Sequence, residues 1–290
     1  HKIKVVSISP AEHCNAYGGL TVTPVQDIVC NLGGTRVRLA TYFPDQMSFS
    51  QLGRDPRLHE RIKSCLAAFG ASEAFAPTPG FNAECISPRE LPMQIKFSGI
   101  TLHRNPTKPA DCVLLEVGDV WAITPGGCGI IVLAYDGKVA VVHAGQDSLL
   151  DRKKIEGGEG REHFSVVYAA LDALGACGDH AMANVHAALF NFIPPEAQFN
   201  PFSGPHETFN RACAGLVVNS YRSGATVTES GVHLDLASIA VAQLYQRGVL
   251  PAHIQRTYER LDERLPHCRM PGREKERYLA LVQRLTRTGF

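Results

Sequence analysis

Long apolar runs are missing from this chain. None of its 290 residues fall in a stretch long enough to cross a bilayer as a helix, so no membrane partner is expected. Charge of one sign is missing as well. Lys and Arg number 29 against 28 Asp and Glu, for a net charge of +1, which leaves no global attraction to nucleic acid or to anionic lipid. Paired cysteines are absent: the nine cysteines include no Cys-x-x-Cys spacing, and an odd, scattered set argues against a disulfide framework and against a closed structural zinc site. Reduced thiols in a cytoplasmic setting are expected. His-x-His pairs are also lacking, so no copper cluster is expected. There is no internal repeat or low-complexity linker, and His1-Lys-Ile-Lys-Val-Val lacks the form of a secretory signal peptide. The apolar fraction of 44% and charged fraction of 20% are those of an ordinary globular protein.

What the chain does have is a thiol and an imidazole in a telling arrangement. Between Thr124 and Gly145 the sequence reads TPGGCGIIVLAYDGKVAVVHAG. Cys128 opens one apolar run, Asp136-Gly137 supplies a hairpin turn, and His143 closes a second run. Folding the hairpin sets two residues fifteen positions apart beside each other at one end of a sheet, the minimum apparatus for nucleophilic catalysis. Gly126, Gly127 and Gly129 permit close backbone approach and positive φ, and the Gly126–Gly127 turn is a candidate oxyanion pocket. Set against this, buried cysteine often acts as a small hydrophobe, and a strand-end histidine can simply satisfy a carbonyl.

The rest of the chain predicts mixed strands and helices without strict βαβ alternation. Strands are expected at residues 2–9, 20–30, 35–43, 112–143, 184–192 and 214–219. Helices are expected over 55–70, with Pro56 in its first turn and Gly70 as its stop, over 165–174 with Gly175 as its stop, over 234–247, and over 274–287 as a basic helix with a solvated face. Residues 71–98 read as loop with short strands, 194–207 as irregular, and 151–162 as a mobile loop. The fold class that follows is α+β: a single layered domain over 1–290 with a mixed β-sheet core flanked by helices, in which residues 1–47 form a β-rich, divergent N-terminal extension. His186 reads as a satisfied core histidine that could border the site.

Several landmarks together resemble the YfiH, or laccase-domain, family, some of whose members are described as purine nucleoside phosphorylases with adenosine deaminase activity. They are Phe49-Ser-Gln-Leu-Gly-Arg-Asp-Pro, Ile100-Thr-Leu-His103, Ala110-Asp-Cys-Val-Leu-Leu, the Cys128 to His143-Ala-Gly hairpin, and His233-Leu-Asp-Leu-Ala-Ser ending in Gly248-Val, all in the family's order. The resemblance implies a site of His103, Cys128 and His143. These three either hold a zinc ion with an open position or form a nucleophile, a base and an orienting partner. Cys112, in Ala110-Asp111-Cys112, mimics the segment in which the family places its cysteine, but the hairpin favours Cys128. The family's His-Ala-Gly-Trp-Arg-Gly is replaced here by His143-Ala-Gly-Gln146-Asp147-Ser148, which removes an arginine suited to phosphate and makes Gln146 and Asp147 candidate substrate contacts. The segment around Gly126-Gly-Cys-Gly-Ile-Ile-Val and His143 is also similar to the catalytic domains of cytotoxic necrotizing factors, which deamidate a glutamine of a protein substrate with a Cys/His pair.

Three functions stay open at this point. The first is a YfiH-type enzyme acting on a small nitrogenous substrate, a nucleoside or related heterocycle or amide. The second is a metal-free cysteine amidohydrolase or glutamine deamidase, for which a protein substrate is an alternative to a small molecule. The third is a binding protein on a lapsed enzyme scaffold.

Overall fold

Asp136 and Gly137 both adopt positive φ, at 47° and 73°, as the tight hairpin turn requires. The computed structural model describes residues 13–14, 20–22, 24–42, 49, 56–80, 85–87, 90–105, 107–151, 155, 165–221, 223–256 and 277–286. In chain order these form β1 His13–Cys14, β2 Leu20–Thr21, β3 Gln26–Leu32, β4 Thr35–Tyr42, α1 Pro56–Phe69, β5 Glu73–Phe75, β6 Cys85–Ile86, β7 Met93–Phe97, β8 Ile100–Arg104 and β9 Cys112–Leu115. There follow β10 Val120–Ile123, β11 Gly129–Tyr135, β12 Lys138–Ala144, α2 Gln146–Leu149, α3 Val166–Leu174, α4 Asp179–Ala183 and β13 His186–Phe190. The chain closes with β14 Phe199–Pro201, α5 Glu207–Ser220, β15 Ala225–Val227, β16 Gly231–Leu234, α6 Leu236–Gln246, β17 Ile254–Arg256 and β18 Leu279–Arg284.

Two mixed sheets carry the molecule. One has seven strands in the order β3-β4-β18-β10-β5-β8-β7, the other six in the order β17-β13-β11-β12-β9-β6. Strand periodicity sorts their side chains into three cores. Ile130, Val132, Val139 and Val141 pack between the sheets against Leu39, Trp121 and Val282. Their alternates Ile131, Leu133, Ala140 and Val142 pack against α3 and α6. On the far side of the seven-stranded sheet, Leu58, Ile62, Leu66 and Phe69 of α1 cover Ala40, Leu279 and Leu281. The layers therefore run helix, sheet, sheet, helix: an α+β fold with a mixed-sheet core between helices. The β3–β4 hairpin, within the segment expected to be an extension, pairs through β4 with β18 and contributes Ile28, Val37 and Leu39 to the inter-sheet core.

Most helix ends follow their sequence signals. Ser165 caps α3 by accepting from the Val167 amide at 3.1 Å, and Gly175 ends it at φ 77°. Gly70 follows α1 at φ 87°. Two expectations fail. The apolar run 214–219 belongs to helix α5, whose buried residues Phe209, Asn210, Cys213, Ala214 and Val217 recur at three- and four-residue spacing, so the helix begins well before the run that suggested a strand. The basic segment 274–287 contains strand β18 rather than a helix. Leu279, Ala280, Leu281 and Val282 are all fully buried, alternately facing α1 and the second sheet, and an interior strand covered on both faces reads as a continuous apolar run. The expected strand 2–9 lies outside the described residues, as does 151–162 apart from Asp151 and Ile155.

Candidate active site

The hairpin register pairs Ile130 with His143 and Gly129 with Ala144. One step further, Cys128 stands opposite Gly145, so the sulfur and the imidazole are diagonal neighbours on the same face, at the end of the inter-sheet core. A Cβ added to Gly145 would lie 3.3 Å from Cys128 Sγ, 3.5 Å from His143 Cε1 and 3.7 Å from His143 Nε2. The missing side chain is the space in which the two groups meet. Of the three glycines around Cys128, none takes positive φ. Gly129 is needed for another reason, because a Cβ there would sit 2.5 Å from the Phe192 ring.

A third residue completes the line. Asp111 Oδ1 accepts from His143 Nδ1 at 2.7 Å, with the carboxylate 0% and the imidazole 5% exposed. The other carboxylate oxygen accepts from the Gly80 amide at 3.2 Å, and the Asp111 carbonyl accepts from the His143 amide at 2.7 Å. With Nδ1 committed to Asp111, Nε2 is the nitrogen left for sulfur. Burial opposes a charged imidazole here, but the Cys128 sulfur and the Asp111 carboxylate outweigh it and push His143 up to about 10. Ser148 fixes the turn beyond the histidine: its hydroxyl donates to the His143 carbonyl at 2.9 Å and accepts from the Gly145 amide at 3.1 Å.

Cys128 is half-buried and opens with His143 into a cavity of about 360 Å³. Gly126 and Gly127 form part of its wall, and among the described residues the amides of Gly126, Gly127 and Cys128 donate to no protein acceptor. This turn is held by the residue before β18: the Tyr278 amide donates to the Pro125 carbonyl at 3.3 Å and the Tyr278 hydroxyl to the Cys128 carbonyl at 3.2 Å. Gln146 lines the cavity and Asp147 is not among its lining residues. Cys112 is fully buried and turned toward the helix layer, where burial and the neighbouring Cys85 thiol push its own thiol well up.

His103 goes elsewhere. It is bonded to Glu73, lies against Phe75 with ring centroids 4.9 Å apart, and lines a separate cavity of about 520 Å³. Its neighbour Arg104 reaches the Cys128 cavity instead, because successive strand residues face opposite ways. Among the described residues no three His, Cys, Asp or Glu side chains are grouped to hold a metal ion, and His103 lines a different cavity from Cys128 and His143. A larger cavity of about 1000 Å³ lies at the turn end of the hairpin, by Asp136, Gly137 and His186. His186 stacks there on His253 at 4.0 Å, away from the sulfur.

Asp111, Arg104 and Gln198, a further lining residue, were not singled out from sequence. For Asp111 a signal was present, an acid immediately before the β9 strand that pairs with β12. For the other two there was none.

Solved structures share the layered fold. The chain is similar to Neisseria meningitidis protein NMB0706, described with the family model DUF152, at TM-score 0.57 and 14% identity over 90% of this chain and 99% of that one. It is similar to YlmD from Geobacillus stearothermophilus at TM-score 0.56 and 14% identity, covering 95% and 99%, and to the Bacillus licheniformis hypothetical protein YfiH at TM-score 0.57 and 11% identity, covering 86% and 93%. The fold is thus YfiH-like. No protein-family model matches the sequence, and no curated protein matches it. No helix among the described residues is long and apolar enough to cross a membrane.

Proposed function

We propose that this protein is a cysteine amidohydrolase acting on a small nitrogenous substrate. The observation that carries the reading is the alignment of Asp111, His143 and Cys128 at one cavity. In the first step the Cys128 thiolate attacks the amide carbon. A C–S bond forms, and the carbonyl electron pair moves onto oxygen, where the Gly126 to Cys128 amides face it. The imidazolium of His143 donates its Nε2 proton to the departing nitrogen and the C–N bond breaks, leaving a thioester. Neutral His143 then takes a proton from water as the water attacks the thioester carbon. The C–S bond breaks, the acid leaves, and the thiolate and imidazolium are restored. Asp111 holds the imidazole in the required tautomer throughout.

The cavity of about 360 Å³ lies toward the lower end of small-molecule pockets, which favours a small amide over an extended polypeptide. The test is the rate of iodoacetamide modification at the Cys128 peptide, read by mass spectrometry at neutral pH with and without EDTA. Exposed Cys177 serves as the internal reference. Modification of Cys128 much faster than that of Cys177 and indifferent to chelator is expected. Ammonia or amine release from a panel of small amides should disappear in Cys128→Ser. A Cys128 no faster than Cys177 would remove the nucleophile and leave a binding protein on an enzyme-like scaffold. Reactivity that changes on chelation would return the zinc reading.

A further inference from the structure

The cavity wall is charged in one direction. Arg104 and Arg277 line it together with His143, and none of the lining residues is acidic. Arg104 is the more telling of the two. Its Nε donates to the Ala76 carbonyl at 3.2 Å, one terminal nitrogen to the Phe49 carbonyl at 3.1 Å and the other to Thr78 Oγ1 at 3.2 Å, and it lies 5.8 Å from the Phe49 ring centroid. Every one of these partners is neutral, and among the described residues no carboxylate pairs with it. Burial accordingly pulls the guanidinium below its ordinary range. A half-buried cation without a counter-charge is costly to keep, and three hydrogen bonds hold this one in the wall of the cavity that Cys128 also lines.

Gln198 adds an independent observation. It is 5% exposed and lines the same cavity, yet its side-chain amide bonds to no described residue. Its main chain is pinned, the amide donating to the Pro195 carbonyl at 2.9 Å and the carbonyl accepting from the Leu234 amide at 3.2 Å. A buried carboxamide offering a donor and an acceptor to the cavity alone is completed by what enters it.

We infer that the substrate is an amide that also carries its own carboxylate, with Arg104 binding the carboxylate and Gln198 pairing with the amide group. The inference rests on the amidohydrolase reading and names the substrate class for that site. A carboxylate fits better than a phosphate because three of the five guanidinium N–H donors are already committed. The remaining two match the two oxygens of a carboxylate, whereas a phosphate dianion calls for more.

The experiment compares iodoacetate with iodoacetamide on the full chain, read at the Cys128 and Cys177 peptides. The iodoacetate to iodoacetamide rate ratio should be about tenfold or more higher at Cys128 than at Cys177, the scale on which a charged cleft concentrates an opposite charge. It should collapse to the Cys177 ratio in Arg104→Gln, persist largely in Arg104→Lys, and fall partway in Arg277→Gln, which also serves if Arg104→Gln does not fold. Gln198→Ala should slow iodoacetamide more than iodoacetate. Succinate should protect Cys128 better than equimolar inorganic phosphate. A wild-type ratio equal to that of Cys177, or one that survives in folded Arg104→Gln, overturns the carboxylate site, and stronger protection by phosphate overturns the choice of anion. If Cys128 resists both reagents, the amidohydrolase reading fails by itself, and thermal shift decides the subsite. A Tm raised by succinate in wild type and not in Arg104→Gln or Arg277→Gln sustains it, and no shift in wild type sinks it.

Discussion

Cys128 and Asp111 together hold the charge on His143, and that charge has a pH signature. With Cys128 and Asp111 beside it, the imidazole is pushed up to about 10 against an ordinary value of 6.5. A folded-state pKa above the unfolded one stabilises the protein where the unfolded chain is already protonated. The contribution of His143 to stability is therefore complete below about pH 6.5 and lost as pH rises through about 10. The stability difference between wild type and His143→Gln, measured by denaturant titration across pH, should shrink over that interval. Asp111→Asn removes the carboxylate while keeping the shape. It should move the loss to lower pH and slow alkylation of Cys128 at pH 7. A profile unchanged in Asp111→Asn would mean that the carboxylate does not govern the imidazole. Gly145→Ala tests spacing rather than charge. The new methyl would stand 3.3 Å from the sulfur, tighter than packing readily allows, so Cys128 reactivity should fall while Tm changes little. At this scale the sequence disclosed Cys128 and His143 through the hairpin. It did not disclose Asp111, whose partner is 32 residues away on a strand that reaches the site only when β9 pairs with β12. It also pointed to His103 where the next residue, Arg104, enters the cavity, because which neighbour faces inward is a matter of strand register and a one-residue slip reverses it.

Among elements, β18 matters most to the site and was the least legible. Its sequence context is basic and helix-like, but its six residues lie between β4 and β10, with Leu279 and Leu281 facing α1 and Ala280 and Val282 facing the second sheet. Only the pairing partners, far away in sequence, reveal that it is a central strand. The α5 error has the same origin in reverse: a short apolar run looks alike in a strand and on a buried helix face, and only element length separates them. The β11–β12 hairpin and the ends of α1 and α3 were legible because turn glycines, a serine cap and local periodicity carry the information within a few residues. Because Tyr278 leads into β18 and its hydroxyl holds the Cys128 carbonyl at 3.2 Å, Tyr278→Phe should cost about 1 kcal/mol of stability. It should also lower Cys128 reactivity by loosening the turn that carries the sulfur. Loss of stability with fully retained reactivity would show that the turn holds its shape without the strand.

Over the whole molecule, the site lies where the inter-sheet core ends: one hairpin of the six-stranded sheet brings sulfur and imidazole together, and Tyr278, leading into the seven-stranded sheet, holds the turn that carries the sulfur. Neither sheet is built from one part of the chain. The seven-stranded sheet joins residues 26–42 to 279–284, and the six-stranded sheet joins 85–86 to 254–256 through β9, β12, β11 and β13. Such interleaving predicts that the layers come apart in one step. The chain has a single tryptophan, Trp121, which is 1% exposed in the inter-sheet core. Cys65 beneath α1 and Cys213 on α5 are sealed at 0% in the two outer cores. Trp121 fluorescence and the appearance of reactive Cys65 and Cys213 thiols therefore report on all three layers of packing independently. In a urea titration the three signals should give coincident midpoints, and Leu39→Ala, which hollows the inter-sheet core alone, should move all three together by about 2–5 kcal/mol. If Cys213 became reactive well before Trp121 were exposed, the helix layer over the six-stranded sheet would be a separate unit. The hairpin would then keep its nucleophile in register without that cover, and the Cys128 site would depend only on the hairpin and on the turn that Tyr278 holds.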